Sequence, residues 1–533
     1  MTFTSLPSET IIHILALTNP ATIRRFRELS SAVKVSHSFR VLVMGSPLLQ
    51  HIIVLDLCGY VEPLVPPKEL SLTDRVDMLY AHHARRANTD QIPPFLIQVR
   101  VPSIQGLGIN LKSYHEGVYA QYSRSAKVLS LYQFYSPDHG ANSKAWQHSS
   151  PATVLVGLSV HATLDLLVWL EAFHPRPFEA QASLNQEYGY KIHLCSLTTG
   201  LQHADAGADS ILHGFTAPHT VAKHTIHILG NLLAVSFISV REPTPGRVIV
   251  WDWTTCLELV RIDTPGSKYT SFAFLSERLF VITQNSSFFE GNNQTNTGSF
   301  GRLNIYSLDS IRSENTMNFA YPIVQLSLPP ISRGLSGSFI QIRETNSSAA
   351  SSYICPSSRP RLYDLPPKRR TICLDIVAWP VRHTAGGPGP YGTLLIPVDV
   401  LLEAAHPFCG LVLDSPMPHV STCLLWSEWA HRTFWCNTSA VGIPHSAAGT
   451  MYAEPSSDRN TGGIIIWNFR NPIPIPDTPQ HLTGSSFLTS AVPPQMGIRS
   501  MIQLDSRYLP LTSVLLDNEY SKHPLNFIYL SGS

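Results

Sequence analysis

The densest group of zinc-type ligands in this chain consists of two histidines and two cysteines: His419, Cys423, His431 and Cys436. Zinc sites use such ligands, but at the spacings of ribbons and fingers, which these four residues do not match. Bulky apolar residues lie among them, namely Leu424, Leu425, Trp426 and Trp429. The segment therefore predicts packed core, and we expect no metal site there.

Other patterns associated with catalysis occur without their companions. Ser31 and Lys34 have the spacing of a serine acyl-enzyme site but lack its accompanying motifs. His82 and His83 are adjacent, and neighbouring side chains on a helix point about 100° apart, so they cannot easily share one ion. The chain has neither a P-loop pattern nor a nucleophile elbow. We expect no enzymatic activity, no catalytic residues, no cofactor and no metal.

The composition predicts a large core and gives no electrostatic reason to bind nucleic acid or membrane. Only 14% of the 533 residues are charged, against the usual quarter, and 44% are hydrophobic. The formal net charge is +1, which argues against nucleic acid and anionic membrane as partners. We expect neither a membrane-spanning helix nor a secretory signal. The eight cysteines include no C-x-x-C pair, as in reduced cytoplasmic and/or nuclear proteins.

Short helical patterns occupy the first fifty residues. Ser5 is a suitable N-cap, and Ile11, Ile14 and Leu15 share one helical face. Ile12 and Leu17 widen the apolar stripe beyond that face. Two more helical patterns cover about 20–32 and 35–43. So small a module cannot bury this much apolar surface alone, which favours docking on a partner. The alternative is a helical cap packed on the rest of the chain.

The same residues resemble a known family. The segment LPSETIIHIL, from Leu6 to Leu15, resembles the opening of the F-box, and VSHSFR, from Val35 to Arg40, resembles its later element. The resemblance implies docking on the Skp-family linker subunit of a cullin-based ubiquitin ligase. The partner-binding residues that it implies are Leu6, Pro7, Glu9, Ile11, Ile14, Leu15, Val35 and Phe39.

A proline-rich linker and one further helix follow. The stretch from 60 to 70 contains three prolines and is expected to be extended. Ser71 or Thr73 could cap a helix that continues to about residue 88. Its basic residues are expected to face water: Arg75, His82, Arg85 and Arg86.

From about residue 91 the pattern changes to short strands, and one segment recurs. The copies begin at Lys191, Arg247, Arg302 and Gly463, with a weaker one at Ala126. Each combines a β-run with a small polar residue and a bulky apolar residue. The period is roughly 55 residues, so two missing copies are expected near 355 and 410. The stretch 391–405 could be one of them out of register.

A strand-rich unit of this length is typical of propeller blades, because stacked blades bury faces that one blade cannot bury alone. Val250, Trp251 and Asp252 resemble the WD-repeat family. We therefore predict a mainly β chain: an N-terminal three-helix F-box-like module, a linker helix and a β-propeller of about six to eight blades. A tandem of β-sandwiches is the alternative.

The expected domains are an F-box-like helical module (1–57), a proline-rich linker and helix (58–90) and a β-propeller-like domain (91–533). Loop insertions are expected near 285–301 and 343–370. The basic run Lys368, Arg369 and Arg370 predicts a solvated loop more than an anion site.

The predicted function is a substrate-recognition adaptor of a cullin-based ubiquitin ligase. Its partners would be the Skp-family linker subunit, through it a cullin, and an unknown substrate protein. If the substrate carries a phosphorylated degron, candidate arginines are Arg241, Arg247, Arg261 and Arg302. Two alternatives remain: a β-propeller protein-interaction scaffold without a ubiquitin-ligase role, and a propeller hydrolase or lectin that uses a central funnel.

Overall fold

The protein is mainly β in a computed structural model, with seven sheets and few helices in the part of the chain that the model describes. Nearly all strand pairs are antiparallel. The described residues are 6–18, 37–63, 65–87, 94–99, 111–115, 118–123, 126–133, 144–149, 155–173, 189–207, 211–215, 221–239, 246–264, 270–285, 299–309, 321–330, 335–343, 362–366, 369–380, 391–409, 422–436, 446–448, 451–455, 464–468, 487–488, 512–515 and 525–530.

In the described residues the N-terminal module contains three helices: α1 (Ser8–Ala16), α2 (His37–Gly45) and α3 (Pro47–Cys58). α1 begins directly after Pro7, whereas Ser5, the expected cap, lies outside the described residues. The Ser46 hydroxyl accepts a hydrogen bond from the Leu49 N–H and caps α3. Gly59 ends α3 in the left-handed conformation, at φ 74°. The helix expected over 20–32 also lies outside the described residues.

The linker helix is α4 (Leu72–Ala87), and Ser71 caps it. The Ser71 hydroxyl accepts from the Asp74 N–H (3.1 Å), and the Asp74 carboxylate accepts from the Ser71 N–H (3.2 Å). Arg75 does not face water as expected. Its side chain is only 11% exposed and pairs with Glu62 at 2.7 Å, because α4 folds back on the linker. None of the helices in the described ranges is long and apolar enough to cross a bilayer.

Three four-stranded antiparallel sheets come first along the β region. Sheet 1 contains β2 (Leu111–His115), β3 (Val118–Ser123), β4 (Val128–Gln133) and β5 (Lys144–Ser149). Sheet 2 contains β6 (Leu155–His161), β7 (Leu166–Phe173), β8 (Gly189–Ser196) and β9 (Ile211–Phe215). Sheet 3 contains β10 (Val221–Leu229), β11 (Leu232–Ser239), β12 (Gly246–Asp252) and β13 (Leu257–Thr264).

Sheets 4 and 5 are linked by the segment between the last two strands of sheet 5, because one strand of this segment pairs with sheet 4. Sheet 4 contains β14 (Phe272–Phe274), β15 (Leu279–Asn285), β16 (Gly301–Ser307), β17 (Val324–Ser327) and, parallel to β17, β21 (Thr422–Leu424). Sheet 5 contains β18 (Leu335–Arg343), β19 (Thr371–Pro380), β20 (Tyr391–Pro397) and β22 (Phe434–Cys436). Between β20 and β22 lie α5 (Val398–Ala405), β21 and the short α6 (Trp426–Trp429).

The last two sheets use the C-terminal part of the chain. Sheet 6 contains β23 (Ser446–Ala448), β24 (Met451–Pro455), β25 (Ile464–Asn468) and β26 (Phe487–Leu488). Sheet 7 contains β1 (Pro94–Val99), β27 (Thr512–Leu515) and β28 (Leu525–Leu530). β28 is its middle strand, so the first strand of the β region pairs with the last.

The sequence repeat corresponds to one position in the fold. Every copy forms the third strand of its sheet: β4, β8, β12, β16 and β25. The two further copies expected near 355 and 410 fall on residues 344–361 and 410–421, which lie outside the described residues. In the described residues, one unit, sheet 5, lies between β16 and β25. Its third strand, β20, is the segment at 391 that appeared out of register, because the insertion after β20 lengthens this unit.

Apolar cores lie between successive sheets, which explains why the middle strands are apolar at nearly every position. On β12, Ile249 and Trp251 pack toward sheet 2, whereas Val248 and Val250 pack toward sheet 4. Alternate residues of a strand face opposite sides, so a strand covered on both sides must be apolar throughout. Sheets 1 to 5 therefore stack face to face in chain order.

Part of the predicted 343–370 insertion packs against its surroundings. Leu362, Tyr363 and Leu365 are buried, and so is Arg370, which donates a hydrogen bond to the Leu275 carbonyl. The expectation that Arg370 belongs to a solvated loop was wrong, because this residue lies at the start of β19 and packs against sheet 4. Lys368 lies outside the described residues.

Candidate functional site

The N-terminal module buries one side of α1 in its own interior. Ile11 and Leu15 are 7% and 3% exposed, and they form a core with Val43, Leu49 and Ile53 of α2 and α3. The four-residue spacing of the first two places both side chains on one helix face. Two residues predicted to contact a partner thus lie inside the module.

Four other apolar side chains of α1 and α2 are exposed: Ile14 (38%), Leu17 (89%), Val41 (55%) and Met44 (51%). Ile14 and Leu17 are three residues apart at the end of α1, and Val41 and Met44 are three residues apart on α2, so each pair shares a helix face. The two helices contact each other. We refer to these four residues as the α1–α2 surface.

The remaining residues implied by the F-box resemblance have different environments. Leu6 is half-buried against the module core, while Pro7 and Glu9 are exposed. Glu9 lies in the first turn of α1, where a carboxylate complements the helix dipole. Phe39 lies on α2, but its side chain is outside the described part, as is all of Val35.

Sequence reasoning missed Val41 and Met44 and gave Leu17 no role in docking. A signal was present: Leu17 widens the apolar stripe of α1 beyond what one buried face requires. The pattern could not show which side of that wide stripe is buried, because α2 and α3 decide this by packing.

α3 connects α2 with α4 and with the β region. The Gln50 side chain donates a hydrogen bond to the Val43 carbonyl at 2.8 Å and so ties α3 to α2. Further along, Val54, Leu55 and Cys58 share a core with α4 and with Leu362, Tyr363 and Leu365 of the β region. The module therefore packs on the β region through α3, while four apolar side chains of α1 and α2 stay exposed.

A polar cluster in which Glu62 is 46% exposed adjoins this packed side. Glu62 contacts Arg75 Nη1 at 2.7 Å and His51 Nδ1 at 3.1 Å. Burial is the main influence that lowers the pKa of His51, while Glu62 opposes it. A neutral His51 that donates from Nδ1 agrees with its position, because its Nε2 is buried without a partner among the described residues.

Three of the four arginines considered for phosphate recognition have side-chain partners. Arg247 Nε donates to Asp263 at 2.6 Å, and Arg261 makes a two-point contact with Glu258. Arg302 bonds the Gln325 side chain, and Arg241 lies outside the described residues. Because carboxylates neutralise two of these arginines, the described residues do not assemble them into an anion site.

The segment with closely spaced histidines and cysteines is packed only in part: Trp429 is buried, whereas Leu425 is exposed. His419 and the side chains of His431 and Cys436 lie outside the described part. Trp429 is buried in the core between sheets 4 and 5, and its indole N–H donates to the Ser327 carbonyl at 3.0 Å. Cys423 lies on β21 beside Ser327. The described ranges contain no group of three or more histidine, cysteine or acidic residues that could hold a metal ion.

No family model matches the chain, and no curated protein matches its sequence. Among solved structures, Hsv2 of Kluyveromyces lactis is similar at 8% identity over 68% of this chain and 76% of that chain, with a TM-score of 0.31. AztD of Citrobacter koseri is similar at 10% identity over 70% and 74%, with a TM-score of 0.28. At such TM-scores the likeness carries no argument about this chain.

Proposed function

We propose that this chain is a substrate-recognition adaptor of a cullin-based ubiquitin ligase. Its N-terminal helices dock on a Skp-family linker subunit and, through it, on a cullin. Its β region binds a substrate protein for ubiquitin transfer. The protein works in the cytoplasm and/or nucleus, and catalysis resides in other subunits.

The observation that carries the proposal is the α1–α2 surface. Four apolar side chains stay exposed on a module that already has a buried core of its own and packs on the β region through α3. Exposed apolar residues grouped on one surface mark interaction sites in soluble proteins. The F-box resemblance of the same helices identifies a Skp-family subunit as the partner that we expect there.

We infer further that the β region is a seven-bladed propeller. Neighbouring sheets contact each other through their first or second strands: β2 with β6, β6 with β10, β10 with β14, β15 with β18, and β19 with β23. The pairing of β1 with β28 supports a ring joined by the two ends of the domain. Propellers bind partners through loops on one face of the ring, which is how we expect this chain to bind its substrate.

The test is co-purification of the full chain with a Skp-family linker subunit. Three proteins are compared: wild type, the double variant Leu17→Asp/Met44→Asp, and the matched control Leu201→Asp/Leu257→Asp, which changes two exposed leucines of the β region. We expect wild type and control to bind equally and the double variant to bind at least about tenfold more weakly. Ile11 and Leu15 are unsuitable for this test because charge at either position would disrupt the module core.

A second candidate function is a β-propeller interaction scaffold without a ubiquitin-ligase role. It is favoured by the packing of α3 and α4 on residues 362–365, which is the arrangement expected of a helical cap. Failure of a well-folded wild-type chain to bind the linker subunit would overturn the adaptor proposal and leave the scaffold as the better explanation.

A further inference from the structure

One short segment of the β region contacts both the N-terminal helices and the sheets. We call it the strap, and it comprises residues 362–366 and 369–370. Leu362, Tyr363 and Leu365 form an apolar core with six residues of α3, the linker and α4: Val54, Leu55, Cys58, Tyr60, Val76 and Leu79. All nine side chains are buried. Burial of these apolar side chains stabilises the contact between the helices and the β region through the hydrophobic effect.

Directional contacts add to this core. The rings of Tyr60 and Tyr363 stack with centroids 3.8 Å apart and planes within 13°. The next residues form a short antiparallel bridge. The Val61 N–H donates to the Asp364 carbonyl (2.9 Å), and the Asp364 N–H donates to the Val61 carbonyl (3.0 Å). Reciprocal backbone bonds fix both the register and the orientation of the two segments.

Little chain separates this bridge from regular structure on either side. Val61 follows the last residue of α3, Cys58, by only three positions. The strap leads directly into β19, the second strand of sheet 5. A contact so close to a helix end and a strand start leaves few backbone dihedral angles free to vary.

Two consecutive arginines secure the strap in different directions. The Arg369 guanidinium packs against Gly59, where the partial negative charge of the α3 C-terminus favours a cation. Arg370 points into sheet 4 and donates to the Leu275 carbonyl, while its own carbonyl accepts from the Val398 N–H at 2.8 Å. Burial lowers the pKa of Arg370 to about 10, so its side chain remains charged at neutral pH.

A polar cluster braces the linker from the helical side. Glu62 follows the bridge directly and contacts His51 of α3 and Arg75 of α4. The residues on both sides of the bridge are therefore held: Tyr60 by the stack and Glu62 by the two helices.

We propose that the strap locks the N-terminal helices onto the β region, so that α3, α4 and sheets 4 and 5 move as one rigid unit. The strap thus acts as a positioning device and the linker does not behave as a flexible tether. If the adaptor function proposed above is correct, this device fixes the orientation of the docked subunit relative to the substrate.

The test measures opening of the strap in the full chain. Tyr363→Ala removes the stack and part of the shared core, and Tyr321→Ala, an exposed tyrosine of the β region, is the matched control. Hydrogen exchange is followed at Val61 and Asp364, and trypsin cleavage is followed after the exposed Lys68. We expect both rates to rise by about tenfold or more in Tyr363→Ala and to stay at the wild-type value in the control, because both processes track the opened population.

Unchanged exchange and cleavage in a folded Tyr363→Ala protein would overturn the proposal. If near-ultraviolet circular dichroism shows that this variant does not fold, the same exchange and cleavage rates are measured in Tyr60→Ala, which removes the same ring stack from the helical side. Binding to the linker subunit is measured on the same proteins. Faster exchange without any binding in wild type would refute the adaptor function and leave the strap supported.

Discussion

At the scale of residues, burial determines the pKa of the two histidines of β10, His224 and His227. Nδ1 of His224 and Nε2 of His227 are buried without hydrogen-bond partners in the described part of the chain. His224 lies against Phe237 and His227 against Phe272. Burial lowers the pKa of each to about 4, because a protonated ring would lose its hydration there.

This arrangement predicts a loss of stability in mild acid. The unfolded chain takes up these protons near the ordinary pKa of 6.5 and the folded chain only near 4, so the free energy of unfolding falls as pH decreases between those values. Each histidine contributes at most about 1.4 kcal/mol per pH unit. Urea denaturation at several pH values should show a smaller pH dependence for His224→Leu/His227→Leu than for wild type. The exposed His406→Leu serves as control, and an identical slope in all three proteins would refute the argument.

At the scale of elements, α3 connects the two sides of the helical module. Leu49 and Ile53 pack toward α1, while Val54, Leu55 and Cys58 pack toward α4 and the strap. An amphipathic helix with one apolar stripe could not do both, and the run of apolar residues in α3 reflects burial on two sides. Gly59, which directly follows the last residue of α3, is where the helix, the linker and Arg369 meet.

Two glycines at helix ends give a matched pair of substitutions. Gly59 has φ of 74° and is covered by Arg369, so Gly59→Ala should destabilise the end of α3 by at least about 1 kcal/mol. Gly45, at the end of α2, has no neighbouring atom that a Cβ would meet, so Gly45→Ala should be neutral or stabilise by up to about 1 kcal/mol. Hydrogen exchange of the α2 and α3 amides measures both effects. Equal behaviour of the two variants would contradict this assignment.

At the scale of the whole molecule, the β region joins its two ends in one sheet. β28 lies between β1 and β27, and its pairing with β1 runs from Pro94 opposite Leu530 to Val99 opposite Leu525. The other sheets are built from strands that are closer in the chain. Sheet 7 therefore depends on a contact of very long sequence separation, whose formation is costly in chain entropy.

Truncation should expose this dependence. Removing residues 525–533 deletes β28 and leaves the edges of β1 and β27 unpaired, and unpaired strand edges promote association. We expect the truncated chain to elute as oligomers in size-exclusion chromatography and to lose near-ultraviolet circular dichroism. Removing only residues 531–533 leaves β28 intact and should change neither measurement. A monomeric, native-like chain without β28 would show that sheet 7 is dispensable.

The sequence by itself determined the local elements of this protein. Apolar spacing predicted α1 and α4, and the polar residues Ser71 and Thr73 placed the start of α4 to within two residues. A repeat of roughly 55 residues predicted the third strands of several sheets. These features follow from interactions within a few residues or from a pattern that recurs at a fixed interval. They need no knowledge of which distant segments meet.

Only the tertiary structure decided which side of each element is buried and which is exposed. Ile11 and Leu17 are both apolar residues of the α1 stripe, yet Ile11 is buried and Leu17 is exposed because α2 and α3 cover only one side. Arg369 and Arg370 looked like part of a solvated basic loop, yet Arg370 is buried because β19 starts at the next residue. Burial depends on contacts between residues far apart in the chain, such as Val61 and Asp364, and no local pattern encodes such a contact.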